Sequence, residues 1–192
     1  MISKLFIKFM FFSFLGYIYE MIHMRITTKS LVNRGYLQGP VIPVYGVGMI
    51  LITTFLDDIK SNYILTFILL TIIIAVTEYT TGIILEKVFN LRLWDYSKRK
   101  FNINGLVCLN TMIQFVIMAG FTLYFVNPIF TNILDNSNSL VLSIIGVILL
   151  ILFLIDFIFS SYMLNSFMKE VKTKHKDVTR EYKSYINKKL KK

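Results

Sequence analysis

Three acidic residues of this 192-residue chain lie inside long apolar stretches, where an ionisable side chain is energetically expensive and often functional. They are Glu20, Glu78 and Asp156. Carboxylates in such positions bind cations, transfer protons, or pair with a neighbouring Arg or Lys. Each acid lies in the last third of its stretch, so we expect all three at a similar depth in a membrane, lining one polar chamber near the cytoplasmic face. The alternative is that each carboxylate reaches water or pairs with a cytoplasmic base.

Polar and aromatic residues of two connecting segments complete the candidate site. Arg34 and Arg92 are suited to clamp an anionic headgroup, or to neutralise one of the acids. Trp94 and Tyr96 fit a role in the site and, equally well, a place in the aromatic belt at a membrane interface. The full set of candidate residues is Glu20, Asn33, Arg34, Tyr45, Glu78, Glu86, Trp94, Asp95, Tyr96, Asn102, Asn104 and Asp156.

The sequence contains no recognisable catalytic motif. It has no G-x-x-x-x-G-K-[ST] loop for nucleotide hydrolysis, no G-x-S-x-G and no H-E-x-x-H. The two histidines are far apart in sequence, and Cys108 is the one cysteine, which its apolar neighbours predict to be buried and inert. We therefore predict no metal site and no cofactor, and no position stands out as catalytic.

Apolar helices must position these residues. Hydrophobic residues make up 55% of the chain and charged residues 17%, and the mean hydropathy is +0.63, which excludes a water-soluble globular domain. We predict an all-α polytopic membrane protein with about five transmembrane helices. Their expected bounds are 5–24, 41–57, 62–85, 106–127 and 139–161. The second contains Pro43, Gly46 and Gly48, so a short or re-entrant helix is the alternative to a full crossing there.

The distribution of Lys and Arg predicts the orientation of these helices in the cell membrane. The connections after the first and third spans are basic, whereas those after the second and fourth are mainly acidic. Because basic connections stay in the cytoplasm, the N-terminus is expected outside and the C-terminus inside. Lys4 and Lys8 weigh weakly against this orientation.

Much of the net charge of +10 is concentrated at the C-terminal end. Residues 167–192 carry ten Lys or Arg residues and three acids, with apolar positions at steps of three and four. This pattern predicts a basic amphipathic helix that follows the transmembrane domain 1–166 and binds anionic lipid headgroups. A docking role for a cytoplasmic partner is the alternative, and no nucleic-acid motif is present.

A short pattern, G-x-x-x-E, ends two of the predicted spans. It places Gly16 before Glu20 and Gly82 before Glu86, on one helix face in each case. Each pair is followed by a basic connection with an Asn and a Gly. The pattern suggests two similar two-span units.

Several motifs occur in the order found in a bacterial membrane protein family that is described as putative ABC-transporter type IV, or CmpB-like. They read N-R-G-Y-L-Q-G-P-V-I-P-V-Y-G-V-G at 33–48, E-Y-T-T-G-I-I-L-E-K at 78–87, W-D-Y-S at 94–97 and N-I-N-G-L-V-C-L at 102–109. The chain resembles this family over about residues 10–120, which implies a multi-pass inner-membrane protein. The positions of this chain that match the family's motifs, and to which the resemblance implies a role in the site, are Glu20, Asn33, Arg34, Gly39, Pro40, Tyr45, Glu78, Glu86, Trp94, Asp95, Tyr96, Asn102 and Asn104.

Together these features favour a permease-like transporter component whose acids suit a cation or an amine-bearing solute. An ATP-driven transporter would need a separate ATPase subunit, because this chain has no phosphate-binding loop. Two alternatives remain open: a non-catalytic membrane scaffold or sensor, and a membrane-embedded enzyme acting on a lipid-linked substrate.

Overall fold

The computed structural model describes residues 2–29, 35–89 and 92–170, and helices dominate them. The helices are α1 (Ile2–Thr28), α2 (Pro43–Leu56), α3 (Tyr63–Phe89), α4 (Leu109–Phe121), α5 (Asn127–Asp135) and α6 (Ser139–Glu170). A hairpin of two short antiparallel strands, β1 (Asn102–Ile103) and β2 (Val107–Cys108), precedes α4. The predicted all-α membrane fold is confirmed. Of the predicted basic tail 167–192, residues 171–192 lie outside the described residues.

Four helical stretches in the described part of the chain are long and apolar enough to cross a membrane. They are α1, α3, α6 and the continuous stretch Leu109–Asp135, which joins α4 to α5. In contrast, α2 has 14 residues and a length of about 21 Å, less than the roughly 30 Å of a hydrocarbon core. A crossing at α2 therefore stays a prediction.

Residues 35–42 lead into α2 as non-helical backbone that is held by two neighbouring helices. The Ile42 amide donates to the Ser13 carbonyl of α1 at 3.0 Å. The Gln38 and Gly39 amides donate to Asp156 of α6 at 3.1 and 2.9 Å. Irregular backbone is tolerated at membrane depth only where protein groups satisfy its polar atoms, and these bonds do so. These hydrogen bonds therefore hold residues 35–42 against α1 and α6.

A π-helical turn at Thr122–Val126 joins α4 to α5. Pro128 follows it in the first turn of α5, where it lacks the N–H that a regular helix would use. Widening the preceding turn relieves the clash between the proline ring and the upstream carbonyl. As a result this stretch continues beyond the predicted 127 to Asp135, whereas its start is Leu109 instead of the predicted 106 because β2 occupies Val107–Cys108.

The two acidic connections and the N-terminus lie at the same end of the bundle. Lys4 forms an ion pair with Asp135 at 2.8 Å, next to the connection between α5 and α6. Tyr124, in the π-helical turn, donates to the Lys60 carbonyl between α2 and α3 at 2.7 Å. Lys4 is therefore neutralised locally.

Candidate functional site

A partly open cavity of about 100 Å³ lies between α1, α2, α3, α4 and the segment before the hairpin. Most of its wall is apolar, formed by side chains such as Met49, Ile52, Ile74 and Phe115. The side chains in its wall that carry a polar group are Glu20, Tyr45, Thr77, Glu78, Trp94 and Tyr96. Five residues predicted for the site therefore share one cavity.

The carboxyl group of Glu20 is held by a tyrosine of the neighbouring helix. The Tyr45 hydroxyl donates to Glu20 Oε1 at 2.6 Å. Its ring packs against Gly16, one turn before Glu20, where a β-carbon would overlap the ring. Helix α1 thus places a gap and an acceptor on the same face, as the G-x-x-x-E spacing predicts. The second oxygen, Glu20 Oε2, is buried and has no hydrogen-bond partner among the described residues.

The carboxyl group of Glu78 faces the same cavity from α3. Its side chain is 7% exposed, and it accepts a hydrogen bond from the side chain of Tyr96. Glu78 Oε2 is also buried, and no residue within 2–29, 35–89 and 92–170 forms a hydrogen bond with it. Glu20 is close enough for its charge to act on Glu78. Among the described residues, no Lys or Arg forms an ion pair with either acid.

The third intramembrane acid, Asp156, lies outside this cavity and binds backbone. In addition to the amides of Gln38 and Gly39, its carboxylate accepts the Ser160 hydroxyl at 3.1 Å. A β-carbon on Gly39 would come within 2.8 Å of Asp156 Oδ2, so residue 39 has to be small. Asp156 therefore fixes the segment leading into α2, whereas Glu20 and Glu78 face the cavity.

Arg92 organises a second polar cluster beside the cavity. It forms an ion pair with Glu86 of α3, bonds Asp95 Oδ1 at 3.2 Å and donates to the Asn104 carbonyl at 3.1 Å. Partial burial acts to raise the pKa of Asp95, but hydrogen bonds from Ser97 and the charge of Arg92 outweigh it, so this pKa lies below its usual value. Of the two alternatives for Arg92, the geometry shows acid neutralisation.

The hairpin that carries Asn102 and Asn104 orients the tryptophan of the cavity wall. Asn104 and Gly105 both have positive φ, at 52° and 70°, as a tight Asn-Gly turn requires. Asn102 Oδ1 accepts the Gly105 amide at 2.9 Å. Trp94 Nε1 donates to the Leu106 carbonyl at 2.8 Å, which fixes the indole beside the cavity. The hairpin was not predicted, although the Asn-Gly dipeptide is its sequence signal.

The predicted site residues therefore fall into three groups. Those in the cavity wall are Glu20, Tyr45, Glu78, Trp94 and Tyr96. Those that hold connecting segments are Glu86, Asp95, Asn102, Asn104 and Asp156. Asn33 and Arg34 lie outside the described residues. The sequence interpretation missed Thr77 and Phe115, because their place in the wall depends on contacts between distant helices. Cys108 is buried, as predicted.

Apolar helices long enough to cross a membrane define a polytopic membrane protein, and Glu20 and Glu78 each place one buried carboxyl oxygen at its largely apolar cavity. The chain belongs to the family described as Putative ABC-transporter type IV, whose profile matches residues 7–161. The predicted family is confirmed, and the match extends beyond the predicted 10–120 to include α6 up to residue 161. No curated protein and no solved structure matches the chain.

Proposed function

We propose that this chain is the membrane-embedded, permease-like subunit of an ABC-type transporter and that its cavity binds the transported solute. The observation that carries the proposal is that Glu20 and Glu78 each place one buried carboxyl oxygen in the same largely apolar cavity. Such groups are rare inside membrane segments and mark the solute pathway in many transporters. Membership of a transport-related family supports the same assignment.

We propose further that the cavity opens toward the cytoplasm. The connection between α3 and α4 carries Lys98, Arg99 and Lys100, whereas the connections at the opposite end carry Asp57, Asp58 and Asp135. By the positive-inside rule, the basic end faces the cytoplasm, with the N-terminus outside and the C-terminus inside. The pairing of Lys4 with Asp135 supports this orientation, since it explains a lysine on the outer side.

A separate ATPase subunit would supply the energy. The basic end presents an exposed stretch for contact with it, in which Phe101 is 78% exposed next to Lys100. The basic tail, residues 167–192, would add binding to anionic lipid headgroups or to the same partner. Both contacts lie at the end of the molecule where the cavity is expected to open.

A comparison of membrane vesicles with and without the protein tests the proposed function. Inverted vesicles are supplied with ATP and an extract of small solutes, and their contents are compared by mass spectrometry. We expect one solute to move in an ATP-dependent way with the wild type and with Asp58→Asn, an exposed acid outside the cavity. We expect the same movement to be lost with Glu78→Gln. Native mass spectrometry of the gently solubilised protein should show a bound ATPase subunit.

Two results would contradict the proposal. The first is that no ATPase subunit is bound and that no solute moves in an ATP-dependent way. The second is wild-type behaviour of Glu20→Gln and Glu78→Gln in every phenotype that deletion of the gene produces. The second result would favour a scaffold or sensor, in which the acids are structural.

A further inference from the structure

The unsatisfied atoms of the cavity specify the chemistry of its ligand. Within the part of the chain that the structure describes, no group donates to the buried acceptors Glu20 Oε2 and Glu78 Oε2, and Glu78 is 7% exposed. A buried polar group without a partner destabilises the protein, and more strongly if it is charged. An ionised carboxylate can only accept hydrogen bonds. The missing component is therefore a group that brings N–H or O–H donors, and a positive charge if the pair is ionised.

The largely apolar walls of the cavity are poorly suited to a hydrated metal ion. A hard cation such as Mg²⁺ or Ca²⁺ takes six or more oxygen ligands, many of them waters. Around Glu20 and Glu78 the wall is instead largely apolar, with Met49, Ile52 and Ile74. Within residues 2–29, 35–89 and 92–170, no group of three or more His, Cys, Asp or Glu side chains is placed to hold a metal.

The size and the aromatic content of the cavity favour a small organic cation. Its volume of about 100 Å³ corresponds to about three water molecules, enough for a body of a few carbon atoms. Trp94, Tyr45 and Phe115 contribute aromatic rings to the wall, and such rings attract ammonium groups. A primary ammonium also carries three N–H donors, so that one group satisfies both free carboxylate oxygens.

We propose that the cavity binds a primary alkylammonium ion, with its nitrogen between Glu20 and Glu78 and its alkyl chain against Ile52 and Ile74. This inference rests on the proposed function, which makes the cavity the solute site, and it adds the class of solute. The amine donates to one oxygen of each carboxyl, while Tyr45 and Tyr96 keep their bonds to the same two groups. Charge neutralisation and donor supply both come from the ligand.

Trp94 provides the readout, because it is the one tryptophan of the chain and lies in the cavity wall. The full-length protein in lipid nanodiscs is titrated at neutral pH with n-butylammonium while Trp94 emission is recorded. 1-Butanol is the uncharged match of the same size, tetramethylammonium is a cation without N–H donors, and K⁺ and Mg²⁺ represent metal ions. We expect saturable binding of n-butylammonium, weaker binding of tetramethylammonium, and no response to 1-butanol, K⁺ or Mg²⁺ in the same concentration range.

The variants locate the binding. Removing one partner of a buried charged hydrogen bond should weaken n-butylammonium binding about 30-fold or more in Glu20→Gln and in Glu78→Gln. Asp58→Asn should bind like the wild type. Circular dichroism and size-exclusion chromatography of each variant verify that it folds, and Glu78→Asp, which keeps the charge, should retain more affinity than Glu78→Gln.

Three results would overturn the proposal: equal binding of 1-butanol, competition by K⁺ or Mg²⁺, or wild-type affinity in folded Glu20→Gln and Glu78→Gln. The outcomes also separate this inference from the proposed function. ATP-dependent movement of a non-cationic solute would support the proposed transporter function but contradict the proposed ammonium ligand. Ammonium binding without any ATP-dependent movement would support the ligand but contradict the transporter function.

Discussion

The ring of Tyr45 fills the space that a side chain at Gly16 would need, and its hydroxyl group binds Glu20 one helical turn further along α1. The same spacing recurs in α3. There Gly82 admits Leu106, to which a β-carbon would come within 2.8 Å, and Glu86 pairs with Arg92. In both helices a side chain from a later part of the chain packs against the glycine. The glutamate one turn further on binds a polar side chain that also comes from a later part of the chain. The G-x-x-x-E pattern is therefore a packing device that positions the cavity wall.

Gly16→Ala should destabilise the protein by displacing Tyr45. Forcing a methyl group into a filled site costs typically about 1–3 kcal/mol, which lowers the thermal midpoint by about 2–10 °C in a protein of this size. Gly120→Ala is the matched control, because no atom lies within 4 Å of the added carbon. Thermal unfolding in detergent compares the two, and an equal midpoint for both variants would refute the packing role of Gly16.

Tyr45→Phe should lower the stability of the protein more than Tyr124→Phe, which also removes one hydroxyl group. It removes the hydroxyl that donates to Glu20, and hydrogen bonds to charged groups contribute about 1.5–3 kcal/mol. Tyr124→Phe removes a bond to the neutral Lys60 carbonyl and should cost only about 0.5–1.5 kcal/mol. The two thermal midpoints, measured side by side, check this order. A smaller effect at Tyr45 than at Tyr124 would contradict it.

Asp156→Ala should loosen the segment leading into α2 without removing ligand binding. Both the Gln38 and Gly39 amides lose a bond to the Asp156 carboxylate, but the Gln38 amide still donates to the Ser160 hydroxyl at 3.1 Å. The Gly39 amide should therefore show the larger change and exchange with solvent about 10-fold faster or more, since a lost charged hydrogen bond costs about 1.5–3 kcal/mol. Hydrogen–deuterium exchange of peptides covering 35–42 measures this. Unchanged exchange there, or a loss of n-butylammonium binding as large as in Glu78→Gln, would count against a purely structural role.

Asp95 should contribute to stability only in its ionised form. Its folded pKa lies below the unfolded value, so the contribution is complete above about pH 4 and is lost as the pH falls through the folded pKa. The midpoint difference between the wild type and Asp95→Asn should be small, about 2 °C, because Asp95 is partly exposed. This difference should stay constant from pH 5 to 8 and shrink below pH 4. A difference that grows on acidification would have the wrong sign.

The sequence predicted the helical membrane fold because that fold depends on local composition. An uninterrupted apolar run such as α6 can satisfy its backbone in a membrane only as a helix. The continuation of α4 into α5 was harder to predict. It depends on how the turn before Pro128 widens, and the spacing of apolar residues does not encode that adjustment.

The candidate site was predictable in its chemistry but not in its grouping. Acids inside apolar runs are conspicuous in a sequence because they are rare there, and this identified Glu20, Glu78 and Asp156. Which acids share a cavity depends on the rotation of each helix and on the path of residues 35–42. Asp156 faces the Gln38 and Gly39 amides, and this tertiary contact separates it from the other two.

The most direct test of the cavity as a cation site is the distance from a bound ammonium nitrogen to Glu78. Solid-state NMR of the protein in bilayers, with ¹⁵N-labelled n-butylammonium and ¹³C-labelled glutamate, measures it. Charge-assisted N–H···O bonds are about 2.7–2.9 Å long, so we predict a separation of about 4 Å or less between the nitrogen and the Glu78 carboxyl carbon. We also predict that this coupling disappears in Glu78→Gln. Bound ligand without any coupling to Glu78, or an unchanged glutamate coupling in that variant, would contradict the assignment.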